Sequence, residues 1–116
     1  MTSREQRAVL RRVLQTYTKT VDLEGALRLS GDVESADRVA RKSRELRREV
    51  DRLRRDMWRR WRGSATRLEE QLRRRNARLQ AEIRAIERDV RTGDHLARAL
   101  GVVDEVLSLV LGVGLG

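Results

Sequence analysis

The feature that most constrains the fold is the spacing of apolar residues, which recur mostly at steps of three and four over residues 33–61, where Ser43 takes one position, and over residues 65–90. This spacing places them on one side of an α-helix and does not fit the period of two of a β-strand. The chain has no proline to break a helix and no cysteine for a disulfide-stabilised fold. Its 116 residues are 39% charged and 39% hydrophobic, which suits a thin bundle better than a thick core. We predict one all-α domain, residues 1–116, whose long amphipathic helices form a helical hairpin or a coiled-coil bundle.

The N-terminal segment, residues 1–30, carries the signature of a helix start. Thr2 and Glu5 have the spacing of a capping box, in which the two side chains satisfy free N–H groups of the first turn. Asp22 is predicted to cap a short helical continuation that reaches Ser30. The apolar side of the first helix is Val9, Leu10, Val13, Leu14, Tyr17 and Val21.

Two glycine–aspartate pairs, Gly31–Asp32 and Gly93–Asp94, mark further boundaries. In each pair the glycine can end one helix and the aspartate can cap the next. The pairs separate the N-terminal segment from an arginine-rich segment, residues 33–92, and from an apolar C-terminal helix, residues 94–116.

Gly63 lies in the middle of the arginine-rich segment and raises the question of whether one helix or two form there. A helix end is favoured because Gly63 suits the left-handed cap position, while Thr66 and Glu69 have the spacing of a new capping box. We therefore favour an antiparallel hairpin. The alternative is a single rod of about 60 residues, roughly 90 Å long.

The charge of the chain is strongly basic, with 27 Lys and Arg against 18 Asp and Glu and a net charge of +9. All but two of the cations are arginine. The planar guanidinium suits phosphate oxygens, but a GC-rich genome or a hot habitat also raises arginine content. The positions of the arginines are therefore better evidence for phosphate binding than their number. Residues 52–78 contain eleven arginines and three acids, which puts the basic maximum around Gly63.

The arginines of the first long helix recur at steps of three and four and form a single stripe. Most lie two residues beyond an apolar position, as Arg48 does after Leu46, and this is roughly 200° around the helix. The stripe should therefore face away from the core. A solvated face with intrahelical ion pairs is the alternative, but like charges at this density repel each other unless a polyanion neutralises them. The predicted nucleic-acid contacts are Arg41, Arg44, Arg48, Arg52, Arg55, Arg59, Arg60, Arg62, Arg67, Arg74, Arg75 and Arg78.

The apolar C-terminal segment and the two tryptophans are predicted to make packing contacts. The segment requires burial, for which its own bundle, a second subunit and a lipid surface are the three alternatives. The tryptophans are expected in the core or between subunits, with base stacking or membrane anchoring as alternatives. The predicted oligomerisation residues are Val103, Val106, Leu107, Val110, Leu111, Trp58 and Trp61.

Catalytic chemistry has little support in the sequence. His95 is the only histidine and is expected to be an exposed residue in the first turn of a helix. There is no thiol, and no glycine-rich loop follows a strand. We predict no enzymatic activity, no catalytic residues, no metal site and no cofactor.

The leading hypothesis is a nucleic-acid-packaging protein that coats or wraps double-stranded DNA through backbone contacts and assembles into homo- or hetero-oligomers, as in chromatin or a nucleocapsid. A coiled-coil scaffold or adaptor is the second hypothesis, and an amphipathic protein that binds a membrane surface is the third. The first residues resemble no signal peptide because arginines interrupt every apolar run. We therefore expect the protein inside a cell or a virus particle, and the sequence does not distinguish DNA from RNA.

Overall fold

The computed structural model describes residues 2–55, 61–88 and 92–115, and these form four α-helices and no strand. The helix bounds are Ser3–Leu29 for α1, Val33–Leu53 for α2, Ala65–Glu87 for α3 and Thr92–Leu115 for α4. They form an elongated bundle of 44 × 21 × 20 Å. The predicted all-α bundle is confirmed.

The bundle consists of two antiparallel hairpins, α1 with α2 and α3 with α4, packed side by side. Ion pairs across the hairpins fix these directions, with Arg28 of α1 on Asp37 of α2 and Arg78 of α3 on Glu105 of α4. Between the hairpins, α1 runs parallel to α3 and α2 runs parallel to α4.

This arrangement corrects the predicted pairing of the arginine-rich segment. The chain does break near Gly63, so a single rod over residues 33–92 is wrong. However, α2 and α3 are not a hairpin either: among the described residues they lie at opposite corners of the bundle and do not pack on each other. Each has a stronger apolar partner, α1 for α2 and α4 for α3. The end of α2 and the start of α3 lie at the same end of the bundle.

The helix boundaries agree with the sequence in part. The capping box of Thr2 and Glu5 is present, with the Thr2 hydroxyl accepting from the Glu5 N–H at 3.1 Å. At the α1–α2 turn, Gly31 has a φ of 86° and Asp32 caps α2 by accepting from the Ser35 N–H, as expected. Asp22, in contrast, lies inside an uninterrupted α1 and caps nothing.

The region around Gly63 differs from the prediction in three ways. Helix α2 ends at Leu53, so Trp61 is not helical, and Met57 lies outside the described residues. The cap of α3 is Ser64, which accepts from the Arg67 N–H, and not Thr66. Gly63 does not have the positive φ of a left-handed cap. A Cβ at this position would overlap the Trp61 ring, so glycine suits the position because of close packing.

The other glycine–aspartate pair also behaves differently from the prediction. Helix α4 begins at Thr92, so Gly93 and Asp94 both lie within its first turn. The acidic side chain of Asp94 is still near the positive end of the helix dipole.

The core is formed by the apolar sides of all four helices, with fully buried side chains from each, such as Val9, Leu46, Leu72 and Val106. Burial at these positions follows the steps of three and four in the sequence. The periodicity therefore predicted the core side of α2 and α3. In α1 the prediction was wrong for Val21, which is 40% exposed, while the polar Thr16 and Thr20 are buried. For α4, which is apolar overall, the sequence selected no single side.

One polar contact lies inside this core, between α1 and α3. The buried Thr16 hydroxyl donates to the Asn76 Oδ1 at 2.5 Å, and the Asn76 amide donates to the Arg12 carbonyl at 3.0 Å. Buried polar pairs of this kind fix which residues of two helices face each other.

Thr16→Val is expected to destabilise the bundle by about 1–3 kcal/mol, because it leaves the Asn76 carbonyl oxygen buried without a donor. The double variant Thr16→Val/Asn76→Leu removes both polar groups and should recover most of that loss. Urea unfolding followed by circular dichroism measures both. A Thr16→Val variant as stable as the wild type would show that the hydrogen bond contributes nothing.

Candidate nucleic-acid interface

The outer side of α2 and the turn that follows it present four exposed arginines, and the helix buries its opposite side, which includes Val39, Leu46 and Val50. None of the four makes an ion pair with another described residue, whereas most other surface cations of α2 do. Arg41, Arg44 and Arg48 extend over seven helical steps, or about 10 Å, and Arg55 follows in the turn after the helix end at Leu53. These four residues are called the α2 arginine face: Arg41, Arg44, Arg48 and Arg55.

The acids nearest to this face are all engaged with other cations. Asp37 pairs with Arg28 of α1 at 3.0 Å, and Glu45 lies 3.9 Å from Lys42. The remaining two pairs on α2 are Glu49 with Arg52 and Asp51 with Arg47. Apart from Glu34 in the first turn, the acids of α2 thus pair with cations outside the face, and the positive charge of the face stays available to a ligand.

Arg52 was predicted as a contact of the same stripe, but the structure turns it towards α4. Its side chain is only 22% exposed, its Nε donates to Glu49 at 2.5 Å, and a terminal nitrogen donates to the Val110 carbonyl at 2.7 Å. The residue lies on the edge of the stripe closest to α4, where a long side chain reaches the neighbouring helix. Its contacts therefore join α2 to α4.

The predicted contacts on α3 lie at the opposite corner of the bundle, and two of the four have acidic partners. Arg74 shares Glu70 with Arg73, and Arg78 pairs with Glu105 of α4 at 3.1 Å. Arg75 is half-buried, whereas Arg67 is exposed. Because α2 and α3 lie on a diagonal, their arginines form two separate surfaces, and only that of α2 is largely unpaired.

The two surfaces approach each other at the end of the bundle that holds the connection between α2 and α3. Arg62 is exposed there, while Arg59 and Arg60 lie outside the described residues. The described half at this end, residues 2–15, 49–55, 61–75 and 108–115, carries 12 arginines and five acids. The described part of the other half carries 12 cations and 11 acids, so nearly all the surplus charge lies at this basic end.

Several exposed arginines that sequence reasoning missed belong to the same region. Arg4 and Arg7 of α1 and Arg54 after α2 are exposed at the basic end, and Arg38 extends the α2 arginine face in the other direction. Arg38 could have been found from its spacing to Arg41. The others become neighbours only through the antiparallel pairing of α1 with α2, which local periodicity does not reveal.

The residues predicted for oligomerisation are mostly internal. Four of them in α4 belong to the core of their own bundle, with exposures of 0–7%. Leu111 is 45% exposed, Trp61 is half-buried against the core, and Trp58 lies outside the described residues. The single chain thus accounts for the burial of these four without a second subunit: Val103, Val106, Leu107 and Val110.

His95 is not an exposed residue, contrary to the prediction. Its side chain is 19% exposed, and Nδ1 lies 2.5 Å from the Glu82 carboxylate of α3, with Arg98 nearby. The first turn of α4 packs on α3 here, which covers the imidazole. Among the described residues, no group of three or more His, Cys, Asp or Glu side chains could hold a metal ion.

Three surface carboxylates have pKa values lowered by local hydrogen bonds. The Thr2 backbone N–H lowers the pKa of Glu5, the Ser35 side chain and N–H lower that of Asp32, and Arg73 lowers that of Glu70. A lowered folded-state pKa contributes stability above the unfolded value, and this is lost as the pH falls through the folded value.

We therefore expect the thermal midpoint to fall as the pH is lowered below about 4, where ordinary carboxyls titrate. Asp32→Asn keeps a good helix cap but removes one titrating group. This variant should match the wild type at neutral pH and lose less stability in acid. Equal losses in the two proteins, measured by thermal unfolding at pH 7 and pH 3, would contradict the role of Asp32.

Fold and site together define a four-helix bundle with a basic, largely unpaired outer face and a basic end. Comparison with protein family models, with curated proteins and with solved structures finds no match. Within the described residues, none of the helices has the length and apolarity needed to cross a membrane.

Proposed function

We propose that this protein is a non-enzymatic nucleic-acid-binding bundle that coats double-stranded DNA through its phosphate backbone, largely independently of sequence, inside a cell or a virus particle. The observation that carries the proposal is the α2 arginine face, which is exposed and lacks ion pairs among the described residues while the neighbouring acids are paired. Arginine binds phosphate oxygens with two parallel N–H donors, which makes such a face suited to this ligand.

The dimensions of the face favour contact with the backbone. Its helical part, from Arg41 to Arg48, is about 10 Å long, and duplex DNA carries one charge per about 1.7 Å along its axis. A straight helix can follow a curved backbone only over part of this length, so each copy would contribute a few contacts. Many copies would then share the duplex, which amounts to coating rather than recognition of one site.

Titration of fluorescent DNA duplexes at increasing salt concentration tests this proposal. Binding should be tight at low salt, similar for duplexes of unrelated sequence, and steeply weaker as salt rises, because each arginine–phosphate contact releases a counterion. Absence of binding at low salt, or binding that salt leaves unchanged, would overturn the proposal. A preference of several orders of magnitude for one duplex would overturn its sequence independence.

A further inference from the structure

The turn between α1 and α2 exposes two large apolar side chains at one end of the bundle. Leu29 is 93% exposed and Val33 is 55% exposed, and they flank the tight turn at Gly31. Leu29 makes no contribution to the core, and Gly31 together with the Ser30 cap would end α1 equally well with a polar residue at this position. Together with Val33, Leu29 forms an apolar projection that a partner could bury.

The charge around this turn is acidic, whereas the chain as a whole is basic, although Arg28 pairs here with Glu24 and Asp37. Residues 22–37 contain five acids and one arginine. Glu34 lies directly beside Val33 and is exposed. The turn is thus an apolar projection within a negative surface.

The other end of the same hairpin has the complementary chemistry. Residues 2–11 and 52–55 contain six arginines and one acid. Between α1 and α2 at this end lies a groove of about 200 Å³, to which the half-buried Leu10 contributes apolar surface and the exposed Arg7 and Arg54 contribute charge, with the buried Leu53 at its base. Its remaining lining residues are Ser3 and Gln6.

We propose that the acidic α1–α2 turn of one copy docks into this groove of a second copy, with Leu29 in the groove and the surrounding acids near Arg7 and Arg54. Burial of Leu29 would supply the apolar contribution, and charge complementarity would fix the orientation. The inference goes beyond the proposed function and does not require nucleic acid.

The contact is heterologous, because the turn and the groove are different surfaces at opposite ends of the molecule. Such contacts do not close into a dimer, and unless rotation closes a ring they form an open chain. A chain of bundles that are each 44 Å long would repeat the α2 arginine face at regular intervals. This repeat is the arrangement that a coating protein would use.

The test measures the mass of the protein without nucleic acid, at low salt and rising protein concentration, by sedimentation velocity. Two variants each disable one surface: Leu29→Lys at the turn, and Arg7→Glu with Arg54→Glu at the groove. Val21→Lys is the matched control, since Val21 is a 40% exposed residue in the middle of α1.

The wild type and the control should grow in mass with concentration and without a plateau at two subunits. Each variant alone should remain a monomer, but an equal mixture should form a complex of two, because one intact turn and one intact groove remain. A wild type that stays monomeric, or an Arg7/Arg54 variant that still assembles alone, would overturn the proposal. So would a mixture that remains monomeric.

This outcome is separable from that of the DNA titration. If the wild type binds DNA but does not self-associate, only the proposed head-to-tail contact is contradicted. If the wild type self-associates but does not bind DNA, the head-to-tail contact is supported and the proposed function is contradicted.

Discussion

Substitution of the whole α2 arginine face by glutamine is expected to weaken duplex DNA binding on the order of 10³-fold at 0.1 M salt. Non-specific binding derives almost entirely from the release of counterions, and each arginine–phosphate contact adds about 0.9 to the slope of log affinity against log salt. Four lost contacts should thus reduce the steepness of that slope by about four. All four side chains are exposed, so the fold should be unaffected.

A matched control separates the position of the charge from its amount. Four other exposed arginines are paired with acids, and their substitution by glutamine removes the same total charge. They are Arg73, Arg74, Arg78 and Arg98. This control should lose much less affinity, because its arginines already have carboxylate partners. If both variants lose affinity equally, net charge alone governs binding and the α2 arginine face is not the site.

Val106→Asp is expected to abolish cooperative folding. Val106 is fully buried in the core, and a carboxylate there would have neither solvent nor a cationic partner. The expected cost is about 5 kcal/mol or more, similar to the whole free energy of unfolding of a small domain, which is about 5–15 kcal/mol. Circular dichroism should show loss of helical signal or of a cooperative thermal transition.

Leu111→Asp is the control for this prediction. Leu111 lies in the same helix but is 45% exposed, so its carboxylate would remain hydrated and the fold should persist. If α4 instead served as a subunit interface with its core side outward, Val106→Asp would change the oligomeric state and leave the helical signal intact. That result would contradict the packing of α4 in its own bundle.

Local chemistry explains why much of the fold could be predicted. The apolar side of a helix follows from its period of 3.6 residues, and the buried Val39, Leu46, Val50 and Leu53 all occupy predicted positions. Caps depend on residues within three or four positions of each other, and the start of α1 and the turn at Gly31 were predicted correctly for this reason. Where two cap signals competed, as at Ser64 and Thr66, sequence alone did not select the one used.

The candidate site was predictable only in part, because the availability of an arginine depends on residues distant in sequence. Arg48 and Arg52 have the same outward offset from the apolar side, yet Arg48 is exposed while Arg52 reaches a carbonyl of α4 that is 58 residues away. Arg78 is compensated by Glu105, which belongs to another helix. No pattern along α2 or α3 contains these partners.

The sequence by itself thus determined that the chain forms amphipathic helices, which sides of α2 and α3 are buried, and that arginine dominates the exposed surface. Periodicity and capping are local properties of the sequence. The hydrophobic effect favours burial of the apolar side of a helix whichever helix covers it. Only the tertiary structure decided that α2 and α3 lie at opposite corners, and that the α2 arginines remain largely unpaired while those of α3 do not. Helix pairing depends on the combined fit of apolar surfaces and on buried contacts such as that of Thr16 with Asn76, and these exist only once distant segments meet.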